Sequence, residues 1–143
     1  MRSSNDGIRS RRIAVTTALG LLVAAVGCGQ RGPDRYRVHG TVTHAGVPVP
    51  LGRIVFEPDL SRGNRGPQGF APIENGRFDT AAKFCQGTVG GATIVRIEGF
   101  EMIGHGEDAT TPGRRLFETY ETRIDLPRKS LARDFDVPAQ PAR

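Results

Sequence analysis

Few side chains in this sequence could do covalent or metal chemistry: two cysteines and three histidines among 143 residues. Cys28 stands directly after an apolar run, and Cys85 lies in the segment Lys-Phe-Cys-Gln-Gly. The histidines are His39, His44 and His105. Because no His-x-His, His-x-x-x-His or Cys-x-x-Cys spacing occurs, the sequence predicts no metal site and no cofactor.

Cys85 leaves two interpretations open. If Cys28 is used elsewhere, Cys85 lacks a partner within the chain and is either a small buried hydrophobe or a free thiol. Lys83 could lower the thiol pKa, and a free thiol outside the cytoplasm can form an intermolecular disulfide. A catalytic cysteine needs a base beside it, and no Cys/His/Asn signature surrounds this one. We therefore favour the inert thiol and predict no catalytic residue.

Two other segments resemble ion sites but lack the complete patterns. Glu98, Glu101, Glu107 and Asp108 cluster without an Asp-x-Asp-x-Asp-Gly loop, so a solvated loop is favoured over weak calcium binding. The glycine-rich segment 87–91 has neither Gly-Lys-Ser/Thr nor a following helix, which disfavours phosphate binding.

The first 27 residues have the pattern of a targeting segment. Residues 1–12 are polar and basic, and residues 13–26 form a run of fourteen without a charge. At about 1.5 Å per residue this run would span roughly 21 Å as a helix, short of the ~30 Å hydrocarbon core. The length therefore predicts the helix of a cleaved signal peptide rather than a permanent transmembrane helix.

Val26, Gly27 and Cys28 resemble the lipobox of bacterial lipoproteins, although Ala25 stands where Leu is usual. The resemblance implies cleavage between Gly27 and Cys28 and acylation of Cys28 by chains such as palmitate. At roughly 0.8 kcal/mol per buried CH₂, two or three acyl chains anchor a protein stably where one is marginal. A nonlipidated signal peptide or a short membrane helix is the alternative.

The route and destination of export are less constrained. Residues 10–12 (Ser-Arg-Arg) resemble a twin-arginine signal, but Ala14 and Val15 replace its usual Phe-Leu, so Sec and Tat export both stay open. Gly29 stands where inner-membrane lipoproteins of enteric bacteria carry Asp. This favours the outer membrane and an extracytoplasmic location in the cell envelope.

The formal charge of +5 comes largely from the leader. Four arginines and one aspartate precede Cys28, which leaves 16 basic and 14 acidic residues from Cys28 onward. Binding of nucleic acid needs a concentrated basic patch, whereas the signs are interspersed here. We therefore predict no nucleic-acid partner.

After residue 35 the chain alternates short apolar runs with turn residues. Tyr36, Val38, Gly40 and Val42 share one parity, which indicates a half-buried strand. Six further strands are predicted at 51–57, 68–74, 77–80, 92–98, 119–126 and 131–137, with a poorly patterned loop at 99–114. Asn75-Gly76 predicts a type I′ hairpin turn. Seven short strands without an amphipathic helix predict an all-β sandwich after the N-terminal signal helix.

The segments VHGTVT (38–43), AGVPVP (45–50), RIVFEP (53–58), ENGRF (74–78) and DFDV (134–137) together resemble carboxypeptidase regulatory-like domains, which are transthyretin-like (prealbumin-like) β-sandwiches. Small lipoproteins of planctomycete-type bacteria carry this domain directly after a lipobox. The resemblance implies a fold rather than an activity, since the shared residues form turns and core. Val-Gly-Gly-Ala at 89–92 replaces the family's Pro-Gly-Lys-Tyr, so we expect an altered turn before an intact strand.

The predicted organisation is a signal peptide (1–27), a lipidated Cys28 with a short tether (28–35), a β-sandwich (36–138) and a disordered tail (139–143). Seven tether residues span at most about 25 Å, which would hold the domain close to the bilayer. We expect a noncatalytic envelope lipoprotein that is structural or binds an envelope protein or polysaccharide, without a small-molecule cofactor. A thiol-dependent enzyme that uses Cys85 and a periplasmic carrier of a small ligand are the alternatives.

Overall fold

This computed structural model describes residues 32–104 and 111–139 of the chain. Gly27, Cys28, His105, Glu107 and Asp108 lie outside the described residues. The strands are β1 (Val38–His44), β2 (Val47–Pro48), β3 (Leu51–Pro58), β4 (Gly69–Glu74), β5 (Arg77–Asp79), β6 (Gly91–Ile103), β7 (Thr111–Arg115), β8 (Tyr120–Leu126), β9 (Leu131–Ala132) and β10 (Phe135–Val137), with one 3₁₀ turn at Leu60–Arg62.

The predicted all-β fold is confirmed, but its details differ from the expectation. The strands form a curled, mostly antiparallel sheet in the order β10-β1-β5-β4-β3-β6-β7, with β8 also paired to β6. Ten strands are present among the described residues rather than seven, because β2 and β7 are additional and the predicted strand 131–137 divides into β9 and β10. Only β9 and β10 run parallel to their partner, which in both cases is β1.

The core lies inside the curl and follows the alternation seen in the sequence. Val38 and Val42 of β1 are fully buried, whereas Thr41 between them is exposed. The rings of Phe56, Phe78 and Phe135 form a triangle with centroids 6.0–6.2 Å apart. Burial of each such side chain contributes about 1.5–3 kcal/mol to folding. The three rings therefore contribute substantially to the stability of the curled sheet.

Gly40 lies where the chain passes close beside β1. A β carbon on Gly40 would overlap the carbonyl oxygen of Arg133 and come within 2.9 Å of Asp134 Oδ1. Residues 133–134 run alongside β1 at this point, between the parallel pairings of β9 and β10 with β1. Glycine is therefore required by the close approach of two backbone segments.

The prediction of a loop over 99–114 is wrong in part, because β6 continues to Ile103 and pairs with β7. Glycine commonly indicates a loop, but Gly99 is a strand residue packed under an aromatic ring. A β carbon there would lie 2.7 Å from the ring of Phe117 and 3.0 Å from Val49.

The two turn predictions are confirmed. Asn75 and Gly76 have φ of 50° and 75°, as a hairpin with two left-handed central residues requires. Gly90 and Gly91 also have positive φ, and Gly91 is the first residue of β6. The strand is thus intact behind an unusual glycine turn.

Candidate functional site

A groove of about 860 Å³ covers the outer face of β1, β5 and β4. Its volume lies within the range of about 300–1,000 Å³ that is typical of ligand pockets. Alternate residues of the three strands line it, because every second side chain of a strand points to the same face. We call this surface the polar groove; its principal lining residues are Arg37, His39, Thr41, Pro72, Glu74, Asn75, Arg77, Asp79 and Lys83.

An ion pair at one side of the polar groove fixes the start of the loop after β5. Arg37 Nε donates to Asp79 Oδ1 at 2.9 Å, and Arg37 Nη2 donates to Asp79 Oδ2 at 2.6 Å. The Ala81 backbone N–H donates to the same carboxylate at 2.9 Å. The Arg37 hydrogen bonds, and then that of Ala81, lower the pKa of Asp79 from its ordinary value.

His39 lies beside this pair with one ring nitrogen buried. Its Nδ1 has no hydrogen-bond partner among the described residues. His39 helps to lower the pKa of Asp79, after the larger effect of Arg37, and that of Asp134, after the larger effect of Thr41. Buried polar atoms are nearly always hydrogen-bonded, so an unpartnered Nδ1 is an uncommon feature of this part of the fold.

Three charged side chains of the polar groove make no ion pair within the described parts of the chain: Glu74, Arg77 and Lys83. Glu74 and Arg77 are directly opposite in the register of β4 and β5. The Lys83 ammonium lies 5.1 Å from the centroid of the Phe84 ring. The groove therefore offers both signs of charge to a polar ligand.

The outer face of β3, β6 and β8 is occupied by charge pairs of its own. Arg96 bonds to Glu57 and to Glu121, and Arg53 bonds to Glu98 at 3.0 Å. Such exposed pairs each contribute little to stability, about 0–1 kcal/mol. They do, however, leave this face with fewer free charges than the polar groove.

Cys85 packs against the hydrophobic core and is half buried. Its burial, and then the charge of Asp79, raise the pKa of the thiol. A raised pKa reduces the thiolate fraction at neutral pH, which opposes nucleophilic chemistry. This is the environment that the inert interpretation expects, and the lowering effect foreseen for Lys83 does not appear among the causes of the shift.

The structure does not bring the predicted chemical groups together. His44 lies against the ring of Phe117, with centroids 4.9 Å apart, while His39 lines the polar groove. No hydrogen bond between described residues joins Cys85 to either histidine. Within residues 32–104 and 111–139, no three His, Cys, Asp or Glu side chains converge as metal ligands would.

Asp59 is a buried acid that the sequence patterns did not single out. Its side chain is 2% exposed, and Oδ1 accepts from the Ser61 N–H at 3.0 Å and from the Ser61 hydroxyl at 2.5 Å. The Ser61 hydroxyl is the main cause of a lowered pKa at Asp59. Asp59 thereby caps the 3₁₀ turn at Leu60–Arg62. The Asp-x-Ser spacing is typical of an Asx turn and could have predicted this cap from the sequence.

Sequence patterns also missed the polar groove as a site. They placed Arg37, His39 and Thr41 on one face of a strand, but the partners on β4 and β5 depend on strand register.

Among the described residues, no helix has the length and apolar character needed to span a membrane. Comparison with protein families, curated proteins and solved structures gives no match to this chain.

Proposed function

We propose that this chain is a noncatalytic lipoprotein, anchored through acylated Cys28 on the extracytoplasmic side of a membrane, with the outer membrane favoured. Its β domain binds an envelope protein or polysaccharide in the polar groove. The domain is proposed to be a transthyretin-like sandwich of the carboxypeptidase regulatory-like kind, on the motifs at 38–58, 74–78 and 134–137.

The observation that carries the binding role is the set of free polar groups on paired strands in the groove. Glu74 and Arg77 lie on neighbouring strands, and the Arg37–Asp79 pair fixes the wall beside them. Polar groups on strands hold their positions better than groups on loops, which favours recognition. The raised pKa and core packing of Cys85 favour this role over a thiol-dependent reaction.

The anchor is tested by mass spectrometry of the mature N-terminus of the full-length protein. We expect a diacylglyceryl adduct on Cys28 in the wild type and unprocessed precursor for Cys28→Ser. A wild-type mature chain that begins elsewhere, or that carries no acyl mass, would refute the anchor.

The binding role is tested with a matched pair of double variants of the tagged full-length chain. Glu74→Gln with Arg77→Gln removes one charge of each sign from the polar groove. Glu101→Gln with Arg114→Gln removes an exposed ion pair elsewhere without changing net charge. We expect crosslinking in intact envelopes to capture a reproducible protein or polysaccharide with wild type and control, but not with the groove variant. Equal capture by both variants, or no capture by wild type, would contradict the proposal.

A further inference from the structure

Phe84 is an aromatic residue displayed to solvent at the tip of the loop between β5 and β6. Its side chain is 81% exposed, the highest value among the exposed large hydrophobic residues of the described chain. Its φ of 69° lies in the left-handed region, which bulky residues rarely occupy. A strained, exposed aromatic residue is a reason to look for a function at that point.

The loop that carries Phe84 is held at both ends. The Gly87 N–H donates to the Thr80 carbonyl at 2.7 Å, and the Cys85 N–H donates to the Ala82 carbonyl at 2.9 Å. Thr80 is fully buried, and its hydroxyl accepts from the Val38 N–H at 2.8 Å. The position of the loop tip is therefore restrained by hydrogen bonds within the loop and to β1.

The chain enters the domain beside this loop. Tyr36 and Thr88 exchange two backbone hydrogen bonds of 2.8 and 2.9 Å, and Arg35 Nη1 donates to the Gly87 carbonyl at 3.0 Å. Cys28 lies seven residues before Arg35, so at most about 25 Å of extended chain separates them. A lipid on Cys28 would keep this part of the domain close to the bilayer.

The same end of the sheet is basic. We call it the basic end; it comprises the incoming chain (33–37) and the loops 59–68, 80–90 and 127–130. These segments carry seven basic residues against two acidic ones, Asp34 and Asp59. Arg37 and Arg62 have carboxylate partners on strands, which leaves an excess of positive charge. The described turns at the other end, 45–46, 75–76 and 116–119, hold a single charged residue, Glu118.

We propose that Phe84 inserts into the phospholipid surface of the membrane that holds the lipid anchor, while Lys83 and the other unpaired basic residues of the basic end contact anionic headgroups. Within the described chain these are Arg35, Arg65, Arg128 and Lys129. An aromatic side chain beside a lysine suits the boundary between headgroups and acyl chains, because the ring is buried while the ammonium stays hydrated. The orientation that results leaves the opposite end of the domain away from the bilayer. This inference rests on the proposed anchoring through Cys28.

A bilayer fits these observations better than a protein partner does. The exposed large apolar side chains of the basic end are only two, Phe84 and Leu60, which lie on different loops and are 81% and 62% exposed among the described residues. The neighbouring positive charges are likewise dispersed over several loops. An anionic lipid surface attracts each Lys or Arg that comes near it, so dispersed basic residues all contribute to the attraction. A protein interface would need a larger contiguous and complementary patch.

The chain contains no tryptophan, so a single introduced indole reports on its own position. Full-length Phe84→Trp protein is reconstituted into vesicles of phosphatidylethanolamine and phosphatidylglycerol with brominated acyl chains. Val47→Trp is the matched control, since Val47 is 65% exposed and lies next to the turn 45–46 at the opposite end. We expect the fluorescence of the Phe84→Trp variant to be blue-shifted and quenched, as for a ring about 5–10 Å below the surface. The fluorescence of the Val47→Trp variant should show neither change.

Flotation of the vesicles tests the lipid anchor on Cys28 separately from the contact of Phe84 with the membrane. Protein that floats but shows no more quenching in the Phe84→Trp variant than in the Val47→Trp variant would overturn the membrane contact and leave the anchor standing. Protein that neither floats nor carries acyl mass would overturn the anchor and the contact with it. Replacement of phosphatidylglycerol by phosphatidylcholine should weaken the quenching in the Phe84→Trp variant, and unchanged quenching would remove the role given to the basic end.

Discussion

Asp134 accepts two hydrogen bonds from Thr41 of the neighbouring strand β1: from the backbone N–H at 2.7 Å and from the hydroxyl at 2.8 Å. Two residues further along, the Thr43 hydroxyl donates to Asp136 at 2.5 Å, and the Gly46 N–H donates to the same oxygen at 3.1 Å. These bonds tie the closing segment to β1 next to the polar groove.

The first prediction concerns acid stability. The Thr41 hydroxyl lowers the pKa of Asp134, and the Thr43 hydroxyl lowers that of Asp136. A carboxyl whose folded pKa lies below its unfolded value near 3.9 stabilises the fold above that pH, and the contribution is lost as pH falls through the folded pKa. We expect Asp134→Asn with Asp136→Asn to lower the free energy of unfolding at neutral pH and to flatten its decline in acid. Denaturant titrations at a series of pH values measure both, and parallel curves would contradict this.

The second prediction tests the close approach at Gly40. Gly40→Ala should destabilise the domain by about 3 kcal/mol, because its β carbon meets the Arg133 carbonyl. Gly32→Ala, where nothing lies within 4 Å, should change stability by less than about 0.5 kcal/mol. Urea denaturation of the two variants measures both costs, and similar costs would show that the backbone of Arg133 does not approach Gly40 closely.

The third prediction concerns the buried hydroxyl of Thr80. Thr80→Val keeps the shape of the side chain but leaves the Val38 N–H without an acceptor, at a cost of about 1–3 kcal/mol. Thr122 on β8 is half buried and serves as the control, for which substitution by Val should cost less than about 0.5 kcal/mol. Thermal unfolding of both variants provides the comparison, and equal costs would show that the Thr80 hydroxyl is not needed as an acceptor.

The fourth prediction concerns Cys85. Because burial raises its pKa and its side chain packs on the core, iodoacetamide should modify it slowly in the folded protein at neutral pH. Complete modification is expected only after unfolding in denaturant, as followed by intact mass spectrometry. Rapid alkylation of the folded chain would reopen the thiol-dependent alternative.

The fifth prediction separates strain from contact at Phe84. Phe84→Gly should raise the free energy of unfolding by about 0.5–1 kcal/mol, because glycine adopts the left-handed conformation without strain. Phe84→Ala keeps the strained backbone and loses little buried area, so it should be nearly neutral in solution. Urea denaturation measures both, and a large loss of stability in Phe84→Ala would show that the ring supports the fold rather than facing outward.

Much of the secondary structure was predictable from local patterns. Val38 and Val42 occupy the buried parity of β1, and Asn75-Gly76 forms the hairpin turn, because both signals depend only on neighbouring residues. The continuation of β6 through Gly99 was missed because it depends on a residue that is distant in the sequence. A glycine under the ring of Phe117 looks like a loop residue until the distant partner is known.

The candidate site could be predicted only in part. The parity of β1 placed Arg37 and His39 on its outer face, yet their neighbours Asp79 and Arg77 are set by the pairing of β1 with β5. A shift of one residue in that register would turn Asp79 toward the core and remove the groove. The exposure of Phe84 likewise depends on the backbone hydrogen bonds within residues 80–87.

The sequence by itself determined the all-β class, most of the strands and the glycine turns, because each depends on local composition and spacing. Only the tertiary structure decided that Arg37 binds Asp79, that Gly40 lies against Arg133 and that Phe84 projects beside the incoming chain. These are contacts between residues far apart in the sequence. They follow from register and from the path of connecting loops, which no local pattern specifies.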